Sequence, residues 1–307
     1  MPHRLRRLQY RPLAVPGLTV NTETINDLIH ILDLEEIEQN HYRATSPDED
    51  RQRVYGGQVI GQALVAASRT VPEDRQAHSL HGYFLRPGDT TVPILFKVDR
   101  IRDGRSFTTR RVVAIQHGQA IFNMSISFQV PEEGFDHQMP RPEAPGPESL
   151  RDENDLRAEW MAEMPELVET FTGIHPIEVR PIDPLNIFKP EQRHPHQMCW
   201  MKARNALPDD PRLHQCVLAY LSDWSLLDTA MLPHAVSFTQ TNLQVASLDH
   251  AMWFHRPFRA DEWLLYVQDS PSASGGRGLN RGLIYDADGV LVASAAQEGL
   301  MRVHEDD

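Results

Sequence analysis

The chain has 307 residues, 40% of them hydrophobic and 24% charged, with a formal charge of −13. This length supplies two ordinary cores or one large one, and no apolar run is long enough to span a bilayer. The acidic balance argues against nucleic acid as a partner, since a phosphate backbone needs a basic surface; a small anionic ligand needs only a local group of arginines.

In chain order, residues 1–23 form an arm with a basic patch at Arg4, Arg6 and Arg7. It lacks the apolar region and cleavage site of a secretory signal, so the expected location is cytoplasmic, with no membrane partner. Gly57–Thr70 predicts a helix, with Val59, Ile60, Ala63, Leu64 and Ala67 at helical spacing. Phe122, Met124, Ile126 and Phe128 alternate with Asn123, Ser125, Ser127 and Gln129, which predicts a strand with one face inward. Pro131–Pro147 is dense in proline and acid and predicts a linker, followed by a short amphipathic helix over Ser149–Thr170. A second unit opens near Ile177 with the strand-like IEVRPI. Leu218–Leu232 predicts a second apolar helix. Small residues in both helices suit burial by sheet, and glycine turns between strands predict antiparallel hairpins. The expected domains are 24–130, a linker at 131–175, and 176–307.

These elements repeat. His78–Pro87 (HSLHGYFLRP) resembles Leu248–Pro257 (LDHAMWFHRP), and Gly104–Phe107 resembles Gly276–Leu279. Each second block leads through a strand and a glycine turn (His117-Gly118; Asp286–Gly289) into another strand. We read a tandem duplication.

No nucleophile elbow, HExxH, phosphate loop or dinucleotide fingerprint is present, and the two cysteines, Cys199 and Cys216, suggest buried thiols without a metal pair. Gly56-Gly57-x-x-x-Gly61 superficially matches a phosphate loop, but close packing of a central helix against a curved sheet is the better explanation. Three polar residues of the second copy draw attention. Asp223 falls at or near the expected start of the apolar helix, where capping is its structural explanation. Ser247 falls at the expected start of a strand. Gln297 shares a strand face with Leu291, Ala293 and Ala295, opposite Val290, Val292, Ser294, Ala296 and Glu298. A buried amide without partners costs about 1–3 kcal/mol, and Asp223 and Ser247 are candidates to supply them. In the first copy Ser247 falls opposite Ala77, Gln297 opposite Ile126, and the region matched to Asp223, Arg53–Gly57, holds no carboxylate. A trio kept in one copy favours a single functional site. Asp, Ser and Gln suit hydrolysis by an oriented water: the carboxylate takes a proton, and hydroxyl and amide hold the water. Ser247 as a covalent nucleophile stays open as the second route.

Five stretches together resemble the type II acyl-CoA thioesterases, the TesB-like family: Tyr55–Leu64 (YGGQVIGQAL), His78–Asp89 (HSLHGYFLRPGD), Arg102–Gly118, Ser247–Tyr266 and Gly289–Arg302. The resemblance implies an α+β double hot-dog fold, two antiparallel sheets each wrapped around a long helix and joined into one. It implies hydrolysis of acyl-CoA without metal or cofactor, a catalytic trio matching Asp223, Ser247 and Gln297, and a homodimer or homotetramer. Coenzyme A is polyanionic, so Arg105 and Arg277, at equivalent places in the copies, are candidate contacts, as are Arg110, Arg111 and Arg281, with Gly57 and Gly278 beside them. Ordinary surface arginines are the alternative at each position. Histidines His81, His250 and His255 fit strand packing between units better than catalysis. A silent acyl-CoA binder and a hydratase or dehydratase remain as other readings. The absence of a histidine expected near the trio argues against the last.

Overall fold

The computed structural model describes residues 25–45, 53–162 and 176–304. The expected N-terminal arm, the acidic tail beyond residue 304 and positions 163–170 of the linker helix lie outside them. The first half comprises α1 (Ile25–Leu32), β1 (Glu35–Glu38), β2 (His41–Ala44), α2 (Gly56–Ser68), β3 (Gln76–Phe84), β4 (Ile94–Asp103), β5 (Phe107–Gln116) and β6 (Gln119–Gln129). After α3 (Glu153–Ala162), the second half comprises β7 (Ile177–Pro181), β8 (His196–Ala203), α4 (Pro211–Leu221), β9 (Leu243–Ser247), β10 (Asp249–Phe254), β11 (Leu264–Ser274), β12 (Arg277–Asp286) and β13 (Leu291–Val303).

All the strands belong to one antiparallel sheet, in the order β1-β2-β4-β5-β6-β3-β10-β13-β12-β11-β8-β7, with β9 also paired to β13. The run β2-β4-β5-β6-β3 is mirrored by β8-β11-β12-β13-β10, so the repeated sequence becomes a repeated half-sheet. The halves meet where β3 pairs with β10, from Asp249↔Tyr83 to Trp253↔Ser79. Phe122, Met124, Ile126 and Phe128 are all buried, as their alternation predicts.

The two helices pack antiparallel on each other. On α2, a side chain at Gly57 would run into the Tyr220 carbonyl oxygen, and one at Gly61 would lie 3.1 Å from that of Cys216. The glycine spacing therefore serves helix-on-helix contact, where sequence reasoning pointed to sheet. Helix α4 begins conventionally, with Asp210 accepting from the Arg212 N–H at 2.9 Å and Pro211 in the first turn. One continuous core, from Leu28 to Ala295, spans both halves.

Four expectations need correction. The second helix does not run over 218–232: α4 ends at Leu221, Ser225 takes φ 59°, and short 3-10 turns follow at Leu227–Ala230 and Leu232–His234. Polar Asp223, Ser225 and Asp228 interrupt the apolar spacing there, and Pro233 removes a donor. On β13, a bulge between Ile284 and Tyr285 of its partner shifts the alternation. Val292 thus joins the main core, and Leu291 packs instead with Trp200, Leu265 and Tyr285. Part of the proline-rich linker is a strap across that second cluster. Trp200 donates its indole N–H to the Pro145 carbonyl at 2.8 Å, and Gln138 binds the backbone of Gly289 and Leu291. The amphipathic helix beyond it is observed only as α3, beginning at Glu153.

Candidate active site

Asp223 lies just past the C-terminal end of α4, not at a start of that helix. It nonetheless meets a helix N-terminus, that of α2 in the other half. The Gly57 N–H donates to its carboxylate, and α2 has no side-chain cap of its own. The stretch Arg53–Gly57 is thus partly the neighbour of Asp223 rather than its counterpart. A side chain at Gly56 would sit 2.6 Å from Asp223 Oδ2, so the bare glycine is what admits the carboxylate. The loop carrying Asp223 is held through its carbonyls by second-half strands. Tyr266 donates to Ser222 O at 2.9 Å, Gln197 to Ser225 O at 2.9 Å, and Gln268 to Trp224 O at 3.4 Å.

Gln297, fully buried on β13, donates from Nε2 to Asp223 Oδ1 at 2.5 Å. Burial raises the Asp223 pKa, opposed by the hydrogen bonds from Gln297 and Gly57. A carboxyl lifted in this way is a stronger base than one in water. Ser247 is the last residue of β9, not the first of a strand, and pairs with Gly299. Paired residues and alternate residues share a sheet face, so Ser247, Gly299 and Gln297 face the same way. Among the described residues the Ser247 hydroxyl makes no hydrogen bond.

Sequence reasoning named His250 but read it as strand packing, apart from the trio. It continues the β10–β13 register to a place opposite Gln297 and accepts at Nδ1 from the Gln297 amide at 3.2 Å. Its Nε2 meets the Ser222 hydroxyl at 2.9 Å, and that hydroxyl donates to the Ala219 carbonyl at 3.0 Å. The chain of donors sets the tautomer: Nε2 carries the proton and Nδ1 accepts. Burial pushes the His250 pKa down to about 4, so the ring is neutral at physiological pH. The expectation of no histidine near the trio is therefore wrong. Both ring nitrogens are committed, however, one to Ser222 and one to Gln297. The available signal was the repeat, in which His250 aligns with Leu80 and Gln297 with Ile126, and Leu80 pairs with Ile126.

With both amide hydrogens engaged, Gln297 keeps one free atom, Oε1, which has no partner among the described residues. The same holds for Oδ1 of Asn280, fully buried and paired with Gln297 across β12 and β13. Asn280 is a second polar neighbour that sequence reasoning missed. At the place in β5 matching Asn280, Arg110 is saturated by Asp103 at 2.5 Å, Thr70, Arg102 and Thr109. It is a structural residue, not a ligand contact.

The other candidate contacts divide. Arg277 pairs with Glu298 at 2.9 Å, Arg281 with Asp269 at 2.7 Å and Arg111 with Asp99 at 3.4 Å. Arg105 is exposed and belongs to a turn held by Arg75 beyond the C-terminal end of α2. That is about 20 Å from Asp223 by the length of the helix, so Arg105 does not touch Asp223 or Gln297. Gly278 admits Ala230 and Met301 against the sheet, a packing role. Outside the site, His81 stacks edge-on with Trp253 at 5.2 Å across the seam, and His255 binds Ser294 at 2.8 Å. Burial pushes both cysteine thiols up to about 12, which leaves them unreactive.

The architecture has the hot-dog fold. A hot-dog protein from Alicyclobacillus acidocaldarius superposes with a TM-score of 0.71 at 17% identity, covering 92% of this chain and 100% of that one. Acyl-CoA thioesterase II TesB2 from Mycobacterium marinum superposes with a TM-score of 0.74 at 47% identity, covering 90% of this chain and 98% of that one. Residues 167–300 match the family model for acyl-CoA thioesterase, and residues 45–129 match the model for the acyl-CoA thioesterase N-terminal domain. Acyl-CoA thioesterase 2 of Haemophilus influenzae is 43% identical, with 92% of this chain and all of that protein covered. Acyl-coenzyme A thioesterase 8 of Mus musculus is also 43% identical, with 89% and 88% covered. The chain belongs to the acyl-CoA thioesterase family and is a thioester hydrolase.

Proposed function

We propose that the chain hydrolyses acyl-CoA to a carboxylic acid and coenzyme A by direct attack of a water held between Asp223 and Gln297. The observation supporting this is the Asp223–Gln297 pair itself: Gln297 turns both amide hydrogens to Asp223 and His250, leaving Oε1 as an acceptor beside the carboxylate. A water then gives one hydrogen bond to each, and its lone pair is free to attack the thioester carbon. Asp223 takes the proton as the C–O bond forms. The C–S bond breaks with departure of a thiolate, whose parent thiol has a pKa near ~8.5 and leaves without strong acid help. Asp223 then returns its proton to the sulfur or to solvent. Ser247, with its hydroxyl uncommitted, holds the water or the substrate carbonyl, and the first turn of α2 places partial positive charge beside the developing oxyanion. Arg277 remains a candidate for the phosphates, because its exposed pairing with Glu298 is worth about 0–1 kcal/mol and is readily exchanged.

The frame we infer is a double hot-dog, each half-sheet curled around one helix, with domains 24–130 and 176–307, working in the cytoplasm as a homodimer or homotetramer. Thiol release from short, medium, long and branched acyl-CoAs tests the reaction, with Asp223→Ala and Gln297→Ala beside the wild type. Release that falls by at least about 100-fold in both variants supports the pair as the water's ligands. Wild-type binding of acyl-CoA without release would leave only a binder.

A further inference from the structure

The linker between the halves brings two charged side chains to the surroundings of Asp223 that the reaction outlined above does not use. Helix α3 is anchored by Leu156, which is buried. From it, Glu153 Oε2 accepts the indole N–H of Trp224, the residue next to Asp223, at 3.0 Å. Arg157 binds the other oxygen of Glu153 through two nitrogens at 2.6 and 3.0 Å, and its guanidinium lies 5.2 Å from the centre of the Trp224 ring. These are sheltered groups, with the Arg157 and Glu153 side chains 21% and 20% exposed. Tyr55, which leads into α2, meets the same indole edge-on at 6.2 Å. Two separate stretches of chain thus converge on the residue beside the general base.

A second carboxyl belongs to this group. Asp228 sits in the 3-10 turn that follows Asp223, and its carboxyl makes no hydrogen bond among the described residues. Burial raises its pKa first, then Glu153 and Asp223; Arg157 lowers it, and the balance falls at about 7. The other titratable groups around the pair stay uncharged near neutrality: His250 on β10, with its pKa at about 4, and on β8 and β11 Cys199 and Tyr266, both raised by burial.

We propose that α3 is a working part of the active site: Glu153 and Arg157 are positioning residues that hold Asp223 in place through Trp224, and their opposite charges act on Asp228 in the turn that follows. This rests on the reading of Asp223 as the base. It gives a part in catalysis to a segment whose sequence reads only as a linker.

The test is the pH profile of kcat/KM for acyl-CoA hydrolysis by the full chain, each variant being checked for folding by thermal unfolding. Glu153→Gln keeps an acceptor for the indole and removes the anion, whereas Arg157→Met keeps a chain over the ring and removes the cation. The wild-type profile is expected to show an inflection near neutrality that Asp228→Asn abolishes. Glu153→Gln moves it to lower pH and Arg157→Met to higher pH, each by about 0.5–1 unit. Trp224→Phe, which keeps a ring but loses the N–H, lowers kcat several-fold with KM little changed. Shifts in the same direction, no shift, or no inflection removed by Asp228→Asn would overturn the proposal. The direction of these shifts is independent of whether Asp223→Ala abolishes thiol release, so failure of the base assignment is read separately. If Trp224→Phe does not fold, the opposed charge variants still decide the matter.

Discussion

At the scale of single residues, the site is a short chain of directed hydrogen bonds. Ala219 accepts from Ser222, Ser222 from His250, and His250 from Gln297, whose other amide hydrogen goes to Asp223. Each link fixes the next, so an amide whose two ends are nearly alike in shape is left with one useful orientation. Removing the Nδ1 acceptor should loosen that orientation without emptying the position. Leu80 occupies the matching place in the first half, so His250→Leu suits the strand. We expect kcat to fall by about 10-fold, the equivalent of one hydrogen bond of about 1.4 kcal/mol, with KM nearly constant. Steady-state kinetics on one acyl-CoA would check this, and an unchanged kcat would show that Asp223 alone orients Gln297.

At the scale of elements, the position of Asp223 depends on two helix ends meeting. Helix α4 stops at Leu221, and α2 begins with Gly56 and Gly57 where the carboxylate arrives. A methyl at Gly56 would stand 2.6 Å from Asp223 Oδ2 and 3.0 Å from the Phe84 ring. Alanine is also the better helix former by about 1 kcal/mol, which offsets part of the crowding. Gly56→Ala is therefore expected to lower kcat by more than about 10-fold while moving Tm by only a few degrees. Comparing activity with thermal unfolding separates these effects; equal loss of both would mean that the helix start, not the carboxylate, had been disturbed.

At the scale of the whole molecule, the duplication has been put to unequal use. Both halves keep the strand order, but only the second carries His250, Asn280 and Gln297 on its inward face, while the first offers Leu80, Arg110 and Ile126 at the matching places. The first half contributes the N-terminal turn of α2 instead, so the site is built from both. The core is likewise shared, and separation would expose the long paired edges of β3 and β10. Residues 1–132 and 133–307 expressed apart should aggregate, and co-expression should restore thiol release. A soluble, cooperatively unfolding first half on its own would show that the shared core is dispensable.

The family, the antiparallel repeat, α2 and the inward face of β6 were all legible in the chain, and so were Asp223 and Gln297 as candidates, which the fold brings into contact, because periodicity, glycine turns and a polar residue on an apolar face are local signals. The end of α4, the bulge that exchanges Leu291 for Val292 and the strap over Trp200 were not. Each depends on partners remote in sequence: Gln197, Tyr266 and Gln268 for the loop, the β12 register for the bulge, and Gln138 and Pro145 for the strap. His250 shows the boundary most directly. As a residue type on an apolar strand it reads as packing, and its service to Gln297 depends on cross-strand register, which pairs residues by distance in space. The sequence by itself determined the family and the candidate residues, because both are carried by local pattern, and the tertiary structure decided which atoms of those residues keep a free valence, because that depends on partners met only in space.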